Sequence, residues 1–352
     1  MKKIDIAILG GGNAGFTIAG FFSHLGHNVK LYKKSMTDNQ KIINHKIISV
    51  GAIDFESRIS LVTNSMKEVL EGVSLIIITV PAYCHNDLFD DLIRFFDQKA
   101  MICLMPDNYG GLLLMRKLRE KGLTDFHQII SLNSALFACR QIDCEMTSIK
   151  GVKNEIMVSS VYTEVIEEGL KLLNDIYPVF KKGANIFEVL LSNMNPVVHT
   201  ATTLLNAGWI ETTRGRFDFY SEGISPSIAN VIERIDRERI AVGIKLGIKL
   251  DSLLDNMHKL YNSVEMDLYS ALSRSGVHTK DLAPVTLETR YLNEDIPFGL
   301  MPISRLGKLL NVETKAIDTI ISLSEVILNK EFDKTASDDI ETFLESESFK
   351  TP

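Results

Sequence analysis

The stretch that decides the fold reads IDIAILGGGNAG and spans residues 4–15 of a chain of 352 residues. Residues 4–9 form a short β-rich apolar run, and the glycines after it satisfy the pattern G-x-G-x-x-G. A helical pattern of apolar residues, from Phe16 to Leu25, follows without a gap. A glycine loop that ends a first strand and opens a helix is typical of dinucleotide-binding folds. The stretch therefore predicts an N-terminal Rossmann-type domain.

Each glycine of this loop has its own physical role. Gly10 permits the tight turn, Gly12 lets the backbone approach a pyrophosphate, and Gly15 allows close packing of the helix on the sheet. The amides of Asn13 and Ala14, at the positive end of the helix, would then hold the phosphates. We expect all five residues to bind the cofactor.

The end of the second strand bears on which cofactor is bound. An acidic residue at this place would bind the ribose 2′-hydroxyl of NAD. Residues 28–32 are instead followed by Lys33, Lys34 and Ser35. Two cations and a hydroxyl suit a 2′-phosphate, so we expect NADP, with NAD as the alternative. The lysines could also be an ordinary solvated strand end.

Pro81 follows a buried strand-like run at residues 75–80. Ligands of open α/β sheets bind at the carboxyl ends of the strands. We therefore expect Pro81 to border the nicotinamide, and the alternative is that it only stops its strand.

The first half of the chain alternates between strand and helix. Strand-like runs at residues 28–32, 75–80 and 101–105 alternate with helical patterns at 87–96 and 111–119. This alternation predicts a parallel, doubly wound sheet covered by helices on both faces. Residues 129–160 contain four more short strand-like runs, which we expect to extend the same sheet, with antiparallel pairing as an option.

The apolar period becomes helical from about residue 187. We place a boundary within Lys181–Ala184, which gives a dinucleotide-binding domain at 1–180 and an all-α catalytic and substrate domain at 181–352. The predicted helices are 187–209, 228–246, 253–271, 303–310 and 314–329. The long loops between them, 213–225 and 281–302, are expected to be functional, because long irregular loops in compact domains are usually functional.

Composition excludes several classes of protein. The net charge of −7 argues against nucleic-acid binding, which needs a surplus of Lys and Arg. The longest apolar runs are far shorter than the roughly 20 residues of a membrane span. The N-terminal stretch does not read as a signal peptide. The four cysteines show no zinc-like spacing, so we expect reduced thiols, no metal and a cytoplasmic protein.

Further motifs along the whole chain resemble the octopine/nopaline (opine) dehydrogenase family. They are Val80–Ala82, Ala138–Arg140, Asn195–His199, Phe219–Gly223, Asp236–Arg239 and Arg290–Gly299, with Asn206–Glu211 between the third and the fourth. The resemblance implies a Rossmann-type domain and an all-α domain of the 6-phosphogluconate-dehydrogenase-like kind. It also implies an oxidoreductase that uses NAD(P)H to condense an α-keto acid reductively with the amino group of an amino acid.

The same resemblance implies a site. His199 would be the catalytic histidine, Asp295 its carboxylate partner, and Arg290 the residue that binds a substrate carboxylate. The chemistry agrees with these roles. Reduction of a C=O or C=N bond needs a proton donor, a carboxylate orients the imidazole, and a guanidinium binds carboxylates with two hydrogen bonds. Against this, His199 could be an ordinary core histidine, and Arg290 with Asp295 a structural ion pair.

Other assignments stay open. One alternative function is an NADP-dependent, ketopantoate-like 2-keto-acid reductase, although such enzymes usually carry a lysine where this helix has His199. Another is an NADP(H)-sensing regulator without turnover. A homodimer is one option for the assembly. Trp209 and Tyr220 could face the core or the substrate, and Asp236–Arg239 reads as a solvated or interdomain network of ion pairs.

Overall fold

The computed structural model describes residues 3–35, 45–261, 263–274 and 281–346. The chain divides into two compact units, Met1–Val189 and Leu190–Pro352. No described helix is both long enough and apolar enough to cross a membrane. The functional division into domains 1–180 and 181–352 stays a prediction.

The first unit is built on an eight-stranded sheet with the strand order β12-β11-β8-β7-β6-β1-β2-β5. Neighbouring strands are parallel, except that β11 runs antiparallel to β8. The strands of the unit, β1 to β12 in chain order, are Asp5–Leu9, Asn28–Tyr32, Lys46–Gly51, Phe55–Arg58, Leu61–Thr63, Leu75–Ile78, Met101–Leu104, Ile129–Leu132, Phe137–Gln141, Met146–Val152, Ile156–Ser159 and Phe180–Lys182.

Helices cover both faces of this sheet. The helices α1 to α6 are Asn13–His24, Met66–Leu70, His85–Phe95, Gly110–Glu120, Ile166–Ile176 and Ile186–Leu191. Apolar side chains of α1 and α5 pack on one face, and those of α2, α3 and α4 pack on the other. Because both faces are covered, central strands such as β6 and β7 are buried along their whole length. The predicted doubly wound α/β fold is confirmed.

A second, four-stranded sheet, in the order β4-β3-β10-β9, corrects one expectation. Of the four strands predicted within residues 129–160, β8 and β11 join the main sheet, whereas β9 and β10 pair with each other and with β3. This sheet packs on α1, where the Thr17 and Thr147 hydroxyls lie 2.6 Å apart. Gly20 permits the close approach, since a Cβ there would lie 2.6 Å from Cγ2 of Ile47. Strand-like runs alone do not say which sheet a strand joins.

The second unit is helical. Its helices, α7 to α15, are Asn195–Leu205, Ala207–Thr213, Pro226–Lys245, Leu253–Tyr261, Leu268–Ser273, Arg290–Asn293, Met301–Leu310, Lys315–Leu328 and Thr335–Glu345. Two predicted long helices are broken. The prediction at 187–209 covers α6, α7 and α8, because Pro196 suits the first turn of a new helix. The prediction at 253–271 covers α10 and α11, where Asp267 caps α11 through the Ser270 amide at 2.9 Å.

The charges at 236–239 are largely buried within the second unit, which corrects their assignment as a solvated or interdomain network. Arg239 is fully buried and donates to Oδ1 of Asp236 at 2.7 and 2.9 Å. The other oxygen of Asp236 accepts the amide of Leu253 at 2.7 Å. Glu238 accepts the amides of Ala316 and Ile317, the first turn of α14. Because each buried charge has partners, this network holds α9, α10 and α14 together.

Candidate active site and dinucleotide loop

The glycine loop lies between β1 and α1, and two of its glycines are required by geometry. Gly10 has a φ of +132°, and a Cβ there would lie 2.6 Å from the Thr79 hydroxyl. A Cβ on Gly15 would overlap the carbonyl oxygen of Gly10. The backbone conformation at Gly10 is one that only glycine adopts without strain. The missing side chain at Gly15 allows the helix to begin directly against the turn.

Gly12 faces open space, in contrast to its neighbours. It is the N-cap of α1, and no described atom lies within 4 Å of a Cβ built on it. The first bond within the helix runs from the Phe16 amide to the Gly12 carbonyl at 2.9 Å. The amides of Asn13, Ala14 and Gly15 therefore have no acceptor inside the helix. A helix N-terminus with free amides and open space beside it suits the pyrophosphate of a dinucleotide.

The other predicted cofactor residues lie near this loop. The aliphatic part of Lys33 lies beside Gly11, since a Cβ there would be 2.8 Å from Cγ of Lys33. Burial is the main effect on Lys33 and lowers its pKa below the usual value, and Lys34 is exposed. Pro81 is half-buried and follows β6, the neighbour of β1. These residues therefore follow adjacent strands at one edge of the sheet.

Two loop contacts were not predicted. The side chain of Asn13 accepts the amide of Gln141 at 2.9 Å, and Sγ of Cys139 lies 3.4 Å from the Asn13 carbonyl oxygen. Both partners are on β9, which belongs to the second sheet. Since 126 and 128 positions separate them from Asn13, no local pattern signals the contacts.

The predicted catalytic pair meets inside the second unit. His199 lies on α7 and is 6% exposed, and its Nδ1 is 2.8 Å from Oδ2 of Asp295. Its Nε2 is 3.1 Å from the hydroxyl of Tyr220. The ring of Tyr291 lies against the imidazole, with the centroids 4.1 Å apart. The histidine is thus held by a carboxylate, a phenol and an aromatic ring.

A glycine permits the loop that carries Asp295 to pack closely against α7. Asp295 donates its amide to the carbonyl of Arg290 at 3.2 Å and precedes a π-helical turn, Ile296–Leu300. A Cβ on Gly299, in this turn, would overlap the ring of Pro196. Because Pro196 begins the helix that carries His199, the missing side chain lets the carboxylate approach the imidazole.

Arg290 is exposed and close to the same cluster. Desolvation lowers its pKa, but the negative charges of Asp295 and then Glu294 outweigh this effect and leave the pKa above its usual value. Its guanidinium carbon lies 5.9 Å from the ring centroid of Tyr291. No ion pair within 4 Å joins Arg290 to Asp295 among the described residues.

The structure also shows the surroundings of Tyr220 and Trp209, which the sequence could not assign to the core or to the substrate. Tyr220 touches His199, whereas Trp209 is 40% exposed and stacks on Phe217 with the centroids 3.9 Å apart. The ring of Tyr291 lies against that of His199, although the sequence assigned this tyrosine no role of its own. A tyrosine inside a resembling motif carries no mark of what it touches, because the contact depends on how the loops fold.

Two family models match this chain, one in each half. Residues 182–328 match the family model described as NAD/NADP octopine/nopaline dehydrogenase, alpha-helical domain. Residues 5–108 match the model of the N-terminus of NAD-dependent glycerol-3-phosphate dehydrogenase. An opine dehydrogenase of Arthrobacter sp. (strain 1C) is 29% identical over 336 residues, which cover 93% of this chain and 92% of that protein.

Two solved structures share the fold at low sequence identity. Octopine dehydrogenase in complex with NADH and agmatine superposes with a TM-score of 0.72 at 19% identity, covering 95% of this chain and 92% of that one. Yersinopine dehydrogenase with NADP+ bound gives a TM-score of 0.69 at 13% identity, covering 97% and 92%.

Proposed function

Because this chain belongs to the octopine/nopaline dehydrogenase family, we propose that it condenses an α-keto acid reductively with the amino group of an amino acid. The observation that carries the proposal is the buried pair of His199 and Asp295, with Arg290 beside it. The balanced reaction takes keto acid, amino acid, NAD(P)H and one proton, and it yields the N-carboxyalkyl amino acid, NAD(P)+ and water.

Within this proposal, each residue of the cluster has one task. Arg290 binds the carboxylate of the keto acid through two parallel hydrogen bonds, which orients its carbonyl group. Asp295 accepts a hydrogen bond from the Nδ1–H group of His199 and stabilises the imidazolium. His199 then supplies, through Nε2, the proton that lets the carbonyl oxygen leave as water when the imine forms. The bound nicotinamide supplies the hydride that reduces the C=N bond.

The cofactor is held by residues of the first unit in this proposal. Gly10, Gly12 and Gly15 shape the loop, and the amides of Asn13 and Ala14 bind the pyrophosphate. Pro81 borders the nicotinamide. A 2′-phosphate would meet Lys33 and Lys34, so we propose a preference for NADPH over NADH. The support is that both cations follow β2, the strand next to β1, and that neither Lys33, Lys34 nor Ser35 would repel the phosphate.

The test is cofactor oxidation with a panel of α-keto acids (pyruvate, 2-oxoglutarate and oxaloacetate), each with and without arginine, lysine or histidine. Oxidation that requires both partners, with the condensed product found by mass spectrometry, supports the proposal and names the substrates. Oxidation with keto acid alone would make the protein a 2-keto-acid reductase. Cofactor binding without turnover for any pair would favour a sensor.

The same assay with NADPH and NADH tests the cofactor preference. A higher kcat/KM with NADPH is expected, and equal or better use of NADH would refute the preference without touching the proposed reaction.

A further inference from the structure

Both ring nitrogens of His199 already have partners in the folded chain. Nδ1 is bonded to Asp295 at 2.8 Å, and Nε2 lies 3.1 Å from the Tyr220 hydroxyl. The ring of Tyr291 covers the imidazole at a centroid distance of 4.1 Å, and the histidine side chain is only 8% exposed. A substrate therefore reaches the proton of His199 either through the Tyr220 hydroxyl or by displacing it.

Tyr220 is held firmly in its position. It is 8% exposed, and its ring meets that of Phe219 edge to face, with the centroids 5.1 Å apart. Its amide donates to Oδ1 of Asp218 at 3.2 Å, and its carbonyl accepts the amide of Ile224 at 3.2 Å. Displacing the hydroxyl would require moving a packed ring on a hydrogen-bonded turn. Transfer through the hydroxyl requires no such movement.

The hydroxyl also lies close to the proposed carboxylate anchor. Tyr220 is near enough to Arg290 to act electrostatically on the guanidinium and contribute to its raised pKa. A keto acid bound to Arg290 by its carboxylate has its carbonyl oxygen one carbon further on. The Tyr220 hydroxyl, 3.1 Å from Nε2 of His199, is therefore the group that we expect to meet that oxygen.

We propose that Tyr220 is a further catalytic residue, which passes the proton between His199 and the reacting oxygen of the substrate. The inference rests on the proposed function. In the condensation, the Tyr220 O–H bond breaks as the proton moves to the substrate oxygen. The Nε2–H bond of the imidazolium breaks as its proton moves to the Tyr220 oxygen. One proton is delivered, Tyr220 ends as a neutral phenol, His199 ends as a neutral imidazole, and Asp295 stays a carboxylate.

The two residues need each other for this task. A phenol has a pKa of about 10, so alone it is a weak acid at neutral pH. The imidazolium of His199 replaces the phenol proton as that proton leaves. The positive charge of Arg290 favours the negative charge that develops on the Tyr220 oxygen.

The closing experiment begins with the wild-type enzyme, where turnover of a keto acid with an amino acid tests the proposed function by itself. If no pair is turned over, the proposed function fails and the inference falls with it. With an active pair in hand, Tyr220→Phe is compared with the wild type for kcat, for the KM of the keto acid and for cofactor affinity. Tyr269→Phe is the matched control, because Tyr269 lies on α11 and is not among the hydrogen-bond or ring partners described for His199.

A relay predicts that Tyr220→Phe lowers kcat by about 10²–10⁴-fold, the range for loss of a general acid, with the KM of the keto acid and cofactor affinity nearly unchanged. Retained kcat in Tyr220→Phe, with or without a lower KM, would overturn the relay and make the hydroxyl a group that the substrate displaces. The proposed function would survive that result.

A second variant separates a relay from a structural role and stands even if Tyr220→Phe folds poorly. Replacing Tyr220 by 3,5-difluorotyrosine keeps the ring and the hydroxyl but lowers the pKa of the phenol. We expect the alkaline limb of the kcat profile to move to lower pH, with no movement for the same replacement at Tyr269. An unchanged profile at position 220 would overturn the inference.

Discussion

Nδ1 of His199 lies 2.8 Å from Oδ2 of Asp295, although 96 positions separate the two residues in the sequence. Both side chains are nearly fully buried. A carboxylate at this distance selects the tautomer with the proton on Nδ1, which leaves Nε2 of the neutral imidazole to accept the hydrogen bond of the Tyr220 hydroxyl. The pair therefore sets which ring nitrogen the proposed acid uses.

Asp295→Asn should impair the chemistry and spare cofactor binding. An amide no longer stabilises the imidazolium or selects the tautomer, so we expect kcat to fall by about 10²–10⁴-fold. His199→Ala should do at least as much. The glycine loop lies in the other unit, so the fluorescence titration of NADPH should give an unchanged Kd. A kcat of Asp295→Asn within threefold of the wild type would remove Asp295 from the proposed mechanism.

Gly299→Ala should disturb the site from outside it. The new methyl group would overlap the ring of Pro196 and push the Asp295 loop away from α7. Overpacking of this kind lowers the free energy of unfolding by about 1–3 kcal/mol, and kcat should fall as well. Gly208→Ala is the control, since no atom of the described residues lies within 4 Å of its Cβ position in α8. Thermal unfolding and kcat that match between the two variants would contradict the role of Gly299.

Gly12→Ala should separate folding from cofactor binding. No described atom lies within 4 Å of the added methyl group, so thermal unfolding without cofactor should stay close to that of the wild type. The methyl group would fill the space assigned to the pyrophosphate. We expect NADPH to bind about tenfold more weakly or worse, a loss of about 1.4 kcal/mol. Unchanged NADPH affinity by calorimetry would place the phosphates elsewhere.

Lys34→Ala should reduce the preference for NADPH. Loss of one charge-assisted hydrogen bond to a 2′-phosphate should raise the KM for NADPH roughly tenfold or more, because such bonds contribute about 1.5–3 kcal/mol. The KM for NADH should hardly change. Lys67→Ala, on α2, serves as the control for loss of a positive charge. A proportional rise in both KM values would argue against a phosphate contact.

Asp107→Asn should change how stability depends on pH. Burial raises the pKa of Asp107 to about 6, whereas an unfolded aspartate has a pKa of about 3.9. Between these values the folded chain keeps a proton that the unfolded chain has released, so this group makes stability fall as the pH rises from about 4 to 6. Asparagine removes the titration and keeps an oxygen for the Gly111 amide, which lies 2.6 Å from Oδ1.

We therefore expect Asp107→Asn to exceed the wild type in unfolding free energy by about 1–3 kcal/mol at pH 7, with the difference vanishing near pH 4. Burial also lowers the pKa of His85 to about 4, but that titration is present in both proteins and cancels in the comparison. Urea unfolding at several pH values measures the difference. A variant less stable than the wild type at pH 7 would show that the charged carboxylate stabilises α4.

Local patterns in the sequence predicted the glycine loop and the parallel sheet around it, and the structure confirms this fold. They did not predict that β9 and β10 leave the main sheet for a second one, since strand pairing depends on distant partners. The helix predicted at 187–209 is broken because the backbone is not helical at residues 192–194 and a new helix begins with Pro196 in its first turn. The catalytic roles of His199, Asp295 and Arg290 came from the family resemblance and stay predictions.

The sequence by itself determined the features that local chemistry controls. These are the turn at residue 10, where only a glycine fits, the helix that begins after Gly12, and the alternation of strands and helices that builds a doubly wound sheet. The tertiary structure alone decided which side chains meet, namely Asp295 and Tyr220 on the two nitrogens of His199, and Gly299 against Pro196. The physical reason is range. Backbone conformation and apolar period are set by residues a few positions apart, whereas a hydrogen bond between distant residues exists only after the packing of several helices has fixed both ends.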